Sequence, residues 1–86
     1  MRTIYFSPRF VRAMKRLSPE LKTIVIEREA IFRRDPFDPR LKTHRLSGKL
    51  AGYYAFSITY SHRILFEIVD DKSIIFINVG DHSIYQ

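Results

Sequence analysis

The chain has 86 residues, 45% of them hydrophobic and 14% aromatic, with no cysteine and a formal net charge of +6. That length suits one domain and that composition fills one small core, so a disordered chain is excluded. The lack of cysteine removes disulfide frameworks and thiolate zinc sites, and no apolar stretch approaches the roughly 18 residues that cross a bilayer.

Thr3-Ile4-Tyr5-Phe6 is β-branched and aromatic and predicts a short first strand. Ser7-Pro8 is a helix start, because serine caps the free N–H groups and proline at the first helical position gives up no bond. Phe10, Val11 and Met14 make the apolar stripe of a helix that runs to about Arg16. Ser18-Pro19-Glu20 repeats the start signal, and Leu21, Ile24, Val25 and Ile31 keep the 3.6-residue spacing of a second helix. That helix must end before Pro36, since the residue preceding a proline is pushed out of the α region. The two helices read as a helical hairpin.

Asp35-Pro36-Phe37-Asp38-Pro39 is a rigid connector. Arg40 to Leu50 follows as a polar, basic loop, with a short strand or turn around Leu46-Ser47-Gly48. From Tyr54 the pattern changes to period two: Tyr54, Phe56, Ile58 and Tyr60, then Ile64, Phe66 and Ile68, then Ile74, Phe76 and Asn78. Ser61-His62 and Asp70-Asp71-Lys72 are short enough for hairpins, which gives a three-stranded antiparallel meander. Apolar residues on both faces of the last two strands mark them as central, with the helices covering one face. The predicted fold is α+β, in the order β-α-α-β-β-β, with a helical hairpin on an antiparallel sheet and one domain spanning residues 1–86.

Charge is unevenly placed. Residues 1–49 hold 13 Lys/Arg against 5 Asp/Glu, whereas residues 50–86 hold 2 against 4. A basic first half suits a polyanion such as nucleic acid, or serves solubility or an acidic partner. Antiparallel pairing brings the start of one strand beside the end of the next, so Arg63 and the segment Gly80–Tyr85 are expected neighbours. If the loop with Lys42, His44 and Arg45 reaches the same side, two imidazoles, a guanidinium, an ammonium and a phenol converge. Imidazoles exchange protons near neutral pH, and cations stabilise the charge that develops on a phosphate, which is the chemistry of RNA cleavage without a metal. Each residue also has a plainer reading: His82 as a surface histidine, His62 as an exposed turn residue, His44 as part of a solvated basic loop, and Arg63 as a partner of Glu67 or Asp81. The three histidines show no helical i, i+4 spacing of a metal site.

Asp35-Pro36-Phe37, the run from Leu41 to Leu50 (LKTHRLSGKL), Tyr60-Ser61-His62-Arg63-Ile64-Leu65-Phe66 and Gly80-Asp81-His82 together resemble the RelE/ParE superfamily of type II toxins. The likeness is greatest to its RelE/StbE and YafQ-like branch of bacterial mRNA interferases. The resemblance implies the same β-α-α-β-β-β order. It also implies cofactor-free, ribosome-dependent endoribonuclease activity on mRNA in the cytoplasm, a role in plasmid stabilisation and a cognate antitoxin as partner, with no membrane association. His44 matches the histidine before the L-x-G motif, His82 the C-terminal catalytic histidine, Arg63 the strand arginine and Tyr85 a C-terminal aromatic. The implied catalytic set is thus His44, Arg63, His82 and Tyr85, with Arg40, Lys42, Arg45 and Lys49 gripping mRNA or rRNA. Ser57 and Ser61 stand where YafQ-like members carry a further histidine and aspartate, which leaves the proton transfers to His44 and His82. Rival readings are a ParE-like inhibitor that binds DNA gyrase and an inert member that only binds antitoxin.

Overall fold

The computed structural model describes residues 2–85. Its regular elements are β1 (Thr3–Phe6), α1 (Pro8–Arg16), α2 (Pro19–Arg34), β2 (His44–Arg45), β3 (Tyr54–Ser57), β4 (Arg63–Asp70) and β5 (Ser73–Gly80), with short 3₁₀ turns at Pro39–Leu41, Gly48–Leu50 and His82–Tyr85. The strands form one sheet in the order β1-β5-β4-β3-β2. Phe10 of α1 and Phe32 of α2 both meet Phe76 of β5, so the two helices cover the same face.

Both helices begin where the serine–proline pairs put them. The Ser7 hydroxyl accepts from the Phe10 N–H at 3.0 Å and donates to the Ile77 carbonyl at 2.7 Å, which ties the first turn of α1 to β5. Ser18 accepts from the Leu21 N–H at 3.2 Å, and α2 stops at Arg34, two residues before Pro36. Ser7→Ala removes a cap and a strand tether together, so it is expected to cost about 1–2 kcal/mol in urea denaturation. A midpoint equal to that of the parent chain would show that the tether contributes nothing.

The core is aromatic. Phe32 stacks on Phe56 at 4.8 Å between ring centroids and meets Phe66 and Phe76 edge-on at 5.0 and 5.2 Å. Leu41, Ile58, Ile64 and Ile74 close around this group. The predicted stripe of α2 contained Val25, which is buried, but it passed over Phe32, the most enclosed residue of the helix.

Four expectations are corrected. The sheet is not wholly antiparallel, because β1 pairs parallel to β5, from Thr3 beside Ser73 to Phe6 beside Phe76; the long connection between them leaves room for a parallel return. Of the strand or turn expected around Leu46-Ser47-Gly48, the turn is present as the 3₁₀ turn Gly48–Leu50 that follows Ser47, but the strand lies earlier, as β2 at His44–Arg45 paired with Tyr54–Ala55. β3 ends at Ser57 instead of running to Tyr60; residues 58–62 form a loop, pinned by two amide bonds to the His62 carbonyl, from Ile58 at 3.0 Å and Thr59 at 3.3 Å. Asn78 does not share a face with Phe76. The register jumps so that Leu65 faces Asn78 while Phe66 faces Phe76, leaving Ile77 as a bulge; inward burial passes from Phe76 to Val79.

A cationic cleft at the end of the sheet

The end of β5 and the start of β4 are fixed by pairing, with Arg63 opposite Gly80. Immediately after Gly80 the chain turns sharply through His82–Tyr85, held by the Ile84 amide on the Asp81 carbonyl at 3.1 Å. Gly80 permits this close return: a Cβ there would lie 2.8 Å from the Ile84 side chain. Ile84 is buried, so the turn is anchored while His82 stays exposed on its outer side.

The basic loop is positioned just as definitely. Leu41 is fully buried and plugs the loop into the core. Thr43 donates to the Pro36 carbonyl at 2.6 Å, and Asp38 accepts from the Arg40 N–H at 2.9 Å. The same carboxylate takes two bonds from the Arg40 guanidinium, at 3.0 and 2.9 Å. That fork holds the Asp38 carboxyl down to about 2. The ion pair should therefore persist down through the ordinary carboxylate range and dissolve only as pH falls to about 2, and the stability it lends the fold is lost between about pH 4 and 2; carboxyl NMR titration reads the midpoint directly. Lys42 follows with φ of 53°, a left-handed conformation rare for a side chain with a Cβ and typical of strained functional positions.

These elements meet around an open cleft of about 370 Å³ lined by Arg28, Arg40, Lys42, Arg63 and His82 with residues 57–60. Four cations and an imidazole face it, and among the described residues no carboxylate lines it. Of the eight residues singled out in the sequence, Arg40, Lys42, Arg63 and His82 are brought together. Tyr85 lies behind them, its ring 6.3 Å from that of His82. Its hydroxyl is buried and has no hydrogen-bond partner among the described residues. Burial pushes the phenol above its ordinary value and nearby Arg63 opposes the rise, so Tyr85 remains a protonated donor at neutral pH.

The others sit elsewhere. His44 is exposed on β2, its Nδ1 3.1 Å from the Lys42 carbonyl, and does not line the cleft. Arg45 lies over the Tyr54 ring at 5.9 Å, and Lys49 is exposed on the 3₁₀ turn Gly48–Leu50. Two lining residues escaped the sequence reading. Arg28 interrupts the α2 stripe between Val25 and Ile31, a cation on the covered side of a helix, and that interruption was the available signal. It donates to the Arg40 carbonyl at 3.2 Å. Tyr60 projects from the loop with 98% of its surface exposed, where alternation had placed it within a strand.

His62 has more company than an isolated turn histidine. Its Nδ1 lies 3.0 Å from the Ser61 hydroxyl. The Ser83 amide and hydroxyl hold the Asp81 carboxyl below its ordinary value, and His62 and His82 add to that effect. Among the described residues, no group of three or more His, Asp or Glu stands together that could hold a metal ion. A separate hollow of about 280 Å³ at the α2 C-terminus, lined by Arg2, Ile4, Arg34 and Asp71 among others, gathers none of the predicted residues. No helix is long and apolar enough to cross a membrane.

No protein-family model matches the chain, and no curated protein does. Solved structures do. The RelBE2 toxin–antitoxin complex of Mycobacterium tuberculosis superposes with a TM-score of 0.78 at 24% identity, over 94% of this chain and 98% of that one. The YoeB dimer of Staphylococcus aureus gives 0.76 at 24% identity, over 94% and 97%. YafQ of Escherichia coli strain BL21(DE3) gives 0.71 at 21% identity, over 99% and 98%. Two helices on one face of a five-stranded, mostly antiparallel open sheet is thus an arrangement this chain shares with the RelE-, YoeB- and YafQ-type toxins.

Proposed function

We propose that the chain is the toxin of a toxin–antitoxin pair and that it cleaves mRNA on the ribosome. The observation that carries the reading is the cleft, in which four cations and one exposed imidazole converge with no carboxylate of the described residues among them. The shared fold and the motif resemblance to mRNA interferases point the same way.

In this reading the scissile phosphate lies between Arg63, Lys42 and Arg28. The 2′-oxygen attacks phosphorus, the P–O5′ bond breaks, and a 2′,3′-cyclic phosphate and a 5′-hydroxyl result. One proton leaves the 2′-hydroxyl and one reaches the departing 5′-oxygen. His82 exchanges one of them, and solvent in the open cleft exchanges the other. The cations act by position, stabilising charge that grows on the phosphate. Lys42 and Arg63 carry more of this than Arg40, whose guanidinium is already committed to Asp38. Tyr85 packs beside His82, its ring 6.3 Å away, and Tyr60 offers an open ring for a base to stack on.

Two measurements check these assignments. Arg63→Gln is expected to lower the cleavage rate by about 10²- to 10³-fold, as loss of a donor to a developing oxyanion does. Tyr60→Ala is expected to weaken mRNA capture by about 1–3 kcal/mol with the single-turnover rate little changed. An Arg63→Gln chain that cuts programmed ribosomes as fast as the parent would remove the phosphate-binding role. The toxin role itself is tested by inducing the chain with and without its neighbouring gene. Translation should stop first when it is alone, and growth should be restored by an antitoxin that covers the cleft. Arrest of replication with intact mRNA would support a ParE-like gyrase inhibitor instead.

A further inference from the structure

A second cationic groove lies on the other side of the C-terminal turn. Arg9, Arg12 and Arg16 of α1 line it with Ala13, Asn78 and Ser83, around a volume of about 290 Å³. Their spacing of three and four residues puts them on one helix face, about 4.5 and 6 Å apart along the axis. Ala13, Arg16, Asn78 and Ser83 also border an adjoining hollow that reaches Gly80 and Asp81. The turn His82–Tyr85 therefore separates two basic channels, with His82 on the cleft and Ser83 on the α1 groove. Asp81, the one carboxylate of the described residues that borders the adjoining hollow, accepts from the Ser83 amide at 2.9 Å.

The row has no internal purpose. None of the three arginines makes an ion pair among the described residues. α1 has no acidic residue in its first turn, so Arg9 opposes the helix dipole. Like charges three and four residues apart repel, so the row costs helix stability. The lining is too polar for an apolar peptide anchor, but rows of guanidinium groups bind consecutive phosphates well.

We infer that the α1 groove is a second RNA subsite, taking phosphodiesters that flank the one held in the cleft, with the strand passing over the His82–Tyr85 turn. This rests on RNA being the ligand of the cleft. A subsite of this kind makes recognition depend on RNA length, since a fragment filling only the cleft never reaches α1.

The test measures binding of fluorescein-labelled single-stranded RNA of 3 and 12 nucleotides by anisotropy, at several salt concentrations, in a His82→Ala background that leaves the RNA uncut. Arg9→Gln/Arg12→Gln/Arg16→Gln should reduce the salt slope for the 12-mer by about 2, at roughly 0.7 per phosphate released, and leave the 3-mer unchanged. Arg63→Gln should weaken both. The triple variant should melt no lower than its parent, since it relieves repulsion, and circular dichroism checks this. An unchanged 12-mer slope overturns the subsite, as does equal weakening of both RNAs. So does a groove that binds polyglutamate while the RNA slope stays fixed, which would mark an acidic protein partner. Failure of the parent to bind either RNA would reject the RNA reading of the cleft itself, and the subsite with it.

Discussion

His82→Ala is expected to cut mRNA on programmed ribosomes about 10²- to 10⁴-fold more slowly than the parent chain, the usual cost of losing a positioned proton-transfer group. The loss should fall on the single-turnover rate rather than on ribosome binding, because Arg28, Lys42 and Arg63 of the cleft remain. His82 is exposed at the edge of an anchored turn, so its removal should leave the melting temperature nearly unchanged. His44→Ala is the matched control. It deletes an imidazole of the same basic loop that does not line the cleft, and cleavage should be nearly unaffected. If His82→Ala cuts as fast as the parent, or if His44→Ala is the more damaged of the two, the proton transfer belongs elsewhere.

Phe32→Ala is expected to lower the unfolding free energy by about 3–5 kcal/mol, the range for emptying a buried aromatic site. Phe32 touches three other phenylalanines, from β3, β4 and β5, so one truncation opens a void against three strands at once. A domain of this size has about 5–15 kcal/mol in total, so the variant should lose a large share of its stability and unfold at a much lower urea concentration. Phe32→Leu keeps part of the volume and should show an intermediate urea midpoint. A Phe32→Ala chain within about 1 kcal/mol of the parent would mean that the site collapses without cost, contrary to the packing seen.

Much of this architecture was written in local chemistry. Ser7-Pro8, Ser18-Pro19 and Pro36 fix three helix ends because caps and proline act within a few residues. The nearness of Arg63 and His82 followed from the geometry of antiparallel pairing and needed only the two hairpins. What was not legible depends on distant packing. The Ile77 bulge is a compromise between strand registers, and no residue near it announces the slip. The exclusion of His44 from the cleft follows from β2 pairing with β3, a two-residue ladder too short to leave a periodic signal. Phe32 and Arg28 fall between these cases: both occupy the covered side of α2, where one was overlooked as core and the other as an interruption of it.

The place of β5 between β1 and β4 has a kinetic consequence. β1 is the first of the described strands, yet at the sheet edge its partner is β5, the last of them, and α1 rests its Phe10 on Phe76 of that same strand. A growing chain that has not yet reached residue 73 has no seat for its first strand or first helix. Such non-local closure is slow, and it leaves Tyr5 and Phe6 unpaired until late. The turn carrying His82 follows β5 directly, so the strand that completes the sheet also delivers the histidine to the cations already waiting in the loop. Folding and the assembly of the cleft are then a single cooperative event, and a partly folded chain has no cleft.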